Sequence, residues 1–282
     1  MNSMCSAATS TVGWGVSDQN NLRKYAGRHM LANLVGSFER WAFNPVKRLR
    51  AKRAARWPLE IEAGRQYATR FIAGQGVEVG AGSRPFPLPA DAECYYGDVR
   101  DRSNLARYFD TEHVIVDGTI DAQAMTGIAG GSLDFVISAH VIEHLFDPVG
   151  SILASIKCLR LGGVFVLVVP EMTRTFDQLR PPTTVEHAMR DASDGGSGTM
   201  YQAYEEHVRY VHTYLTGEQI PLQDVPQHVD RIMTAKMDIH VHAWRERDFF
   251  ALLRRLSTSG GFRVVHRRSA GNENLYVLER IA

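Results

Sequence analysis

The chain has 282 residues, 44% of them hydrophobic, with a formal net charge of +1 and three cysteines. That size suits one large α/β core with appendages better than two independent domains, and the balanced charge excludes a global attraction to nucleic acid. Cys5, Cys94 and Cys158 lack metal-ligand spacing, no run of eighteen apolar residues occurs, and the first residues lack a secretory pattern, so a reduced cytoplasmic protein is expected.

In chain order, the first distinctive stretch is basic. Residues 40–56 carry seven basic side chains (Arg40, Lys47, Arg48, Arg50, Lys52, Arg53, Arg56) and no acid, with Leu34, Phe38, Trp41 and Phe43 nearby. This reads as a peripheral contact with an anionic bilayer, a contact with an acidic substrate carrier, or a solvated helix packed through its aromatics. Next, Val77-Glu78-Val79-Gly80-Ala81-Gly82 ends a short apolar strand with an acid and turns on two glycines. A strand that turns sharply against a bound cofactor cannot carry Cβ atoms at the contact points. A dinucleotide loop wants a third glycine where Pro85 stands, so NAD is disfavoured, and Glu78 suits a cationic ligand rather than a pyrophosphate.

Glu93 to Asp98 reads as a second strand ending in an acid, roughly twenty residues after Glu78, where a carboxylate takes two ribose hydroxyls. His113 to Gly118 reads as a third strand and Gly131 to Ala139 as a fourth. A helix from about Asp147 to Arg160 leads through Leu161-Gly162-Gly163 to the apolar run Val164 to Val169, which stops at Pro170. A helix over Glu246 to Ser257 and strands over Phe262 to Arg268 and Asn274 to Arg280 close the chain, the last one antiparallel.

Four segments in this order resemble the class I S-adenosylmethionine-dependent methyltransferases: the glycine loop, Asp98, the block from Leu133 to Pro148 containing Glu143-His144, and Leu159-Arg160-Leu161-Gly162-Gly163. The Glu143-His144 block is the most specific and looks like the methyltransferase type 11-like subgroup that includes ubiquinone-pathway O-methyltransferases. The resemblance implies a Rossmann-like, seven-stranded, mostly parallel sheet with an antiparallel C-terminal strand. The core would span 65–170 and 244–282, with an N-terminal helical extension (1–64) and a substrate cap inserted at 171–243. It implies S-adenosyl-L-methionine as cofactor, with Glu78, Gly80, Ala81 and Gly82 around the methionine part and Asp98 on the ribose. Asp117 to Asp121 would lie near the adenine, and Ser138 and His140 would face the donor pocket. Pro85 with Phe86-Pro87-Leu88-Pro89 departs from the pattern and should shorten or delay the first helix.

The implied activity is methyl transfer, most directly to a hydroxyl of a sugar, glycan or secondary metabolite. An N-methyltransferase or a non-catalytic cofactor-binding protein are the alternatives. Transfer to an unactivated hydroxyl needs a base or a metal. His140 is the leading base candidate, with Glu143 and His144 beside it and His240 from the cap. A related Glu-x-x-Glu-His arrangement binds a divalent metal, so His140, Glu143 and His144 either hold one, completed by His207, His240 or His242, or serve as helix-capping groups. The cap also contains Asp238-x-His240-x-His242, whose imidazoles would share one side in a strand, and Arg180 and Glu186-His187, which either bind acceptor or form salt bridges. Asp191 to Thr199, rich in glycine and serine, reads as a mobile loop.

Overall fold

A computed structural model describes residues 56–282. The basic stretch 40–56 thus lies outside the described residues except for Arg56. Seven strands form one sheet: β1 (Gln75–Val79), β2 (Glu93–Asp98), β3 (Gly118–Thr119), β4 (Leu133–Ala139), β5 (Leu159–Pro170), β6 (Phe262–Ala270) and β7 (Glu273–Arg280). Their order is β3-β2-β1-β4-β5-β7-β6. Only β7 runs against its neighbours, paired antiparallel to β5 and β6.

Period-two alternation explains the layers. On β5, Phe165, Leu167 and Val169 face one side, and Val164, Val166 and Val168 the other. The first face is covered by α3 (Pro148–Cys158) and α8 (Glu246–Ser257). In α8 the buried residues Phe249, Leu252, Leu253 and Leu256 fall at i, i+3, i+4 and i+7, the spacing of a single apolar stripe. The second face is covered by α1 (Trp57–Ala68) and the proline-rich loop, through Ala68, Ile72 and Phe86. Helix α1 enters with Pro58 in its first turn, where a missing N–H costs nothing. The expected boundary at 64/65 therefore falls inside a helix that belongs to the core.

Between β1 and β2 there is no helix, as Pro85, Pro87 and Pro89 lead one to expect; the first helix after the glycine loop is α2 (Arg102–Phe109), capped by Asp101. The third strand is shorter than His113 to Gly118. Ile115 donates to the Gly82 carbonyl rather than to a strand, so pairing begins only at Gly118.

The segment 171–243 contributes α4 (Val185–Asp194), α5 (Met200–Glu206), a π-turn (His207–Val211), α6 (His212–Thr216) and α7 (Val225–Thr234). Tyr204, Val208, Val225, Val229, Ile239 and Val241 form its own apolar cluster, with Phe146 of the core packed against it. The stretch Asp191 to Thr199 differs from expectation. It finishes α4, turns on Gly195 in the left-handed region, and is pinned by a hydrogen bond from the Thr199 hydroxyl to the fully buried Asp191. No helix among the described residues is long and apolar enough to cross a membrane.

Candidate functional site

The sheet order reverses at β1, whose neighbours are β2 on one side and β4 on the other, so the loops leaving β1 and β4 diverge and open a crevice at the strands' carboxyl ends. A cavity of about 790 Å³ occupies that crevice. Gly80 and Ala81 after β1, Asp98 at the end of β2, Asp121 to Gln123 after β3 and His140 after β4 line it. Gly80 has φ +72°, and a Cβ there would lie 2.4 Å from the Val141 side chain, so both backbone and space require glycine.

Some expected contacts are elsewhere. Glu78 does not line the cavity: it is 1% exposed, and both of its carboxylate oxygens accept the Phe86 amide at 3.0 Å. Burial raises its pKa to about 7 against the opposing Phe86 hydrogen bond. Its work is to pin the proline-rich loop. Gly82 packs under Phe109, Asp117 accepts the Tyr96 amide at 2.9 Å, and Ser138 is buried within β4. Asp98 and Asp121 do reach the cavity, and the hydrogen bonds they accept come from backbone amides, Arg100 N and Gln123 N, both at 2.8 Å. Burial raises the Asp98 pKa, opposed by the Arg100 amide.

His140 adopts φ +58°, a left-handed conformation that a non-glycine residue holds only at a cost. Its ring is engaged at both nitrogens: Nε2 lies 2.8 Å from Glu273 Oε1, and Nδ1 lies 3.5 Å from Glu143 Oε1. Arg65 of α1 grips the same Glu273 at 2.7 and 3.1 Å. Burial works to lower the His140 pKa, but the two carboxylates outweigh it and hold the pKa at about 9. Both ring nitrogens thus face carboxylates, which favour the protonated imidazole over the neutral form a general base requires. Arg65 and Glu273 had no local sequence signal; they lie some two hundred residues apart and meet only through the α1 packing against β7.

His140, Glu143 and His144 do not share a helix face. Only a 3₁₀ turn over Ile142–His144 forms, and α3 is capped instead by Asp147, which accepts the Gly150 amide at 2.7 Å. Glu143 is 1% exposed, and neither of its oxygens makes a hydrogen bond. Burial disfavours its charge, but His140, His144 and His240 more than compensate and lower its pKa. Glu143, His144 and His240 offer ligand atoms that all lie within 4.8 Å of one another. Each imidazole is oriented by a second carboxylate: His144 Nδ1 lies 2.8 Å from Asp238 Oδ1, and His240 Nδ1 lies 2.6 Å from Asp177 Oδ2. Nε2 of each ring is thereby left for a ligand, the arrangement typical of metal-binding histidines.

Asp238 is a hub that sequence reading missed. It also receives Arg100 at 2.9 Å and the Tyr108 hydroxyl at 3.0 Å, and so ties the cap to the ends of β2 and β4. Its burial opposes ionisation, yet the His144 hydrogen bond and the Arg100 charge lower its pKa.

The remaining cap candidates divide. Asp238 to His242 is not a strand, and its two histidines part company: His240 joins Glu143 and His144, while His242 joins His187 and Asp191. Arg180, 4% exposed, is consumed by Asp177, Glu206 and the carbonyls of His240 and Val241, so it acts as a salt-bridged brace. His207 lies in the π-turn, and burial pushes its pKa down to about 4.

No protein-family profile matches the chain, and no curated protein does. Solved structures do. A SAM-dependent methyltransferase from Thermotoga maritima shares 15% identity over 89% of this chain and 99% of its own, with TM-score 0.44. Magnesium protoporphyrin IX methyltransferase from Synechocystis, solved with bound SAH, shares 12% over 93% and 100%, with TM-score 0.40. A Rhodobacter sphaeroides protein described as a zinc-dependent alcohol dehydrogenase shares 15% over 75% and 86%, with TM-score 0.46. Likenesses this distant say nothing of activity. With six parallel strands, an antiparallel β7 and a crevice at the reversal point, the chain has the fold of the class I S-adenosylmethionine-dependent methyltransferases.

Proposed function

We propose that the protein is an S-adenosylmethionine-dependent methyltransferase that acts on a hydroxyl of a sugar, glycan or secondary metabolite, with the segment 171–243 covering the acceptor. The observation that carries the reading is Glu143: a buried carboxylate whose oxygens make no hydrogen bond, ringed by His140, His144 and His240 beside the cavity.

The residues fit the cofactor. The volume suits a nucleoside-sized ligand. Arg65 neutralises Glu273 and Arg100 neutralises Asp238, which leaves Asp98 and Asp121 with oxygens to spare for ribose hydroxyls and the adenine end. S-adenosylmethionine, when bound, supplies an already activated methyl group, so holding the acceptor in line is most of the chain's task. The residues also fit a divalent cation: Glu143, His144 and His240 would hold it, with Asp238 and Asp177 behind them. Such a cation would lower the pKa of the acceptor hydroxyl. His140, cationic between Glu143 and Glu273, positions the end of β4 rather than moving a proton.

A second reading rests on His144, which alone of the three lines the cavity. Without a cation, its Nε2 is the proton acceptor, oriented by Asp238 through Nδ1.

Calorimetric titration with S-adenosylmethionine and S-adenosylhomocysteine tests the cofactor reading; micromolar binding weakened in Asp98→Ala is expected, and binding of neither sinks it. An acceptor screen follows. Activity lost on chelation and restored by a divalent cation selects the metal reading; activity that survives complete metal removal selects His144. A product methylated on nitrogen would overturn the O-directed assignment.

A further inference from the structure

A second cluster lies outside this site, between α4 and the return segment of the cap. His187 and Asp191 sit one turn apart on α4, and His242 approaches from the chain that crosses beneath it. Asp191 and His242 are 0% exposed, and the His187 side chain is 19% exposed. His187 Nε2, Asp191 Oδ2 and His242 Nε2 all lack a hydrogen-bond partner, although they face one another. Three buried polar atoms that converge without partners are a standing cost to folding unless something sits between them.

The spacing says what. Asp191 Oδ2 lies 3.2 Å from His187 Nε2 and 3.7 Å from His242 Nε2. A tetrahedral shell with bonds of about 2.1 Å has edges of about 3.4 Å, midway between the two. Two of the ligands are also held from behind. The Thr199 hydroxyl takes the other Asp191 oxygen, Oδ1, which aims Oδ2 at the histidines. The His242 ring stacks on Trp244 at 5.1 Å, and its backbone N–H is tied to the Glu143 carbonyl at 3.0 Å. The Phe146 backbone also lies close enough to influence that ring. Outer groups thus orient Asp191 and His242, the two fully buried ligands, which is what distinguishes a built metal site from a chance meeting of polar side chains.

We propose that His187, Asp191 and His242 form a structural site for a tetrahedral divalent cation of the zinc type, with water as the fourth ligand on the partly exposed His187 side. Two imidazoles and one carboxylate favour zinc over magnesium or calcium. The cation locks α4 to the return segment, whose next residues upstream, Asp238 and His240, carry the wall of the candidate active site. The proposal stands independently of the methyltransferase reading.

The test uses the full chain, stripped with chelator, reloaded with Zn²⁺, desalted and assayed for bound metal, alongside Asp191→Asn, His187→Gln and Glu143→Gln. His187→Gln changes a partly exposed group and keeps the fold testable by circular dichroism. About one equivalent of zinc is expected to disappear in Asp191→Asn and in His187→Gln and to remain in Glu143→Gln. Zn²⁺ should raise Tm by several degrees in the wild type and in Glu143→Gln, with no rise in His187→Gln. Co²⁺ loaded into Glu143→Gln should show tetrahedral visible absorption. Wild-type zinc content in both cap variants, loss of all zinc in Glu143→Gln, or a wild type that takes up no zinc would each overturn the proposal.

Discussion

The Glu143 and Asp191 clusters are built from the same parts, two histidines and a carboxylate, and are linked by three residues of chain, since His240 serves one and His242 the other. They differ in what surrounds them. The Glu143 cluster abuts the cavity through His144, and its imidazoles are backed by Asp238 and Asp177; the Asp191 cluster lies away from the cavity, between α4 and the segment carrying His242, and is backed by a hydroxyl and an indole. Composition does not separate the two clusters. Access to the cavity and the partners behind each ligand do.

That contrast breaks most directly at Glu143. Glu143→Gln is expected to lower kcat by about 10²-fold or more, the range for losing an acid–base or metal-holding group. Its Tm should stay level or rise, because the substitution removes a fully buried charge whose oxygens make no hydrogen bond, while His140 keeps Glu273 as its nearer partner. A fall in Tm with turnover intact would make Glu143 structural and erase the contrast. On the cofactor side of the same wall, Asp98→Ala should weaken S-adenosylmethionine binding by about 10- to 100-fold in calorimetry, the worth of one or two hydrogen bonds to a charged group.

Asp191→Asn should show the opposite profile. Losing a buried charge that accepts the Thr199 hydroxyl and faces the His187 ring costs about 1–3 kcal/mol, a fall of roughly 5 °C in Tm for a chain of this size. Gly80→Ala tests the glycine loop in the same units. The left-handed backbone and the contact with Val141 together should cost about 1–3 kcal/mol, read as a lower midpoint in urea.

The smallest effect concerns pH. His140 has its pKa raised from 6.5 to about 9, chiefly by Glu143 and Glu273 against the pull of burial. A group whose folded pKa is raised stabilises fully below its unfolded value and loses that contribution as pH rises through the folded one. Tm should therefore fall between about pH 6.5 and 9, and His140→Gln should flatten that slope. With the side chain about one-third exposed, the contribution is of order 1 kcal/mol after solvent screening. An unchanged slope in the variant would show that the Glu273 bridge to Arg65, rather than His140, holds the end of β4.

What the sequence determined by itself is the alternating sheet, the glycine turn at Gly80 and the strand-end acid Asp98. These are local: apolar periodicity, a positive φ that demands glycine, and an acid at a strand's carboxyl end are written within a few residues of where they act. The tertiary structure decided the rest. Glu78 turned inward to the Phe86 amide, because the proline-rich loop leaves that amide no helix to join. His140 met Glu273, a partner 133 residues away, which favours its protonated form. Asp238 became the tie between the segment 171–243 and the residues after β2 and β4, and His240 and His242 were sent to different clusters because the segment carrying them crosses Glu143 as irregular chain rather than as a strand. A side chain's charge state and partners depend on which distant groups burial brings within a few ångströms, and no spacing along the chain encodes that distance.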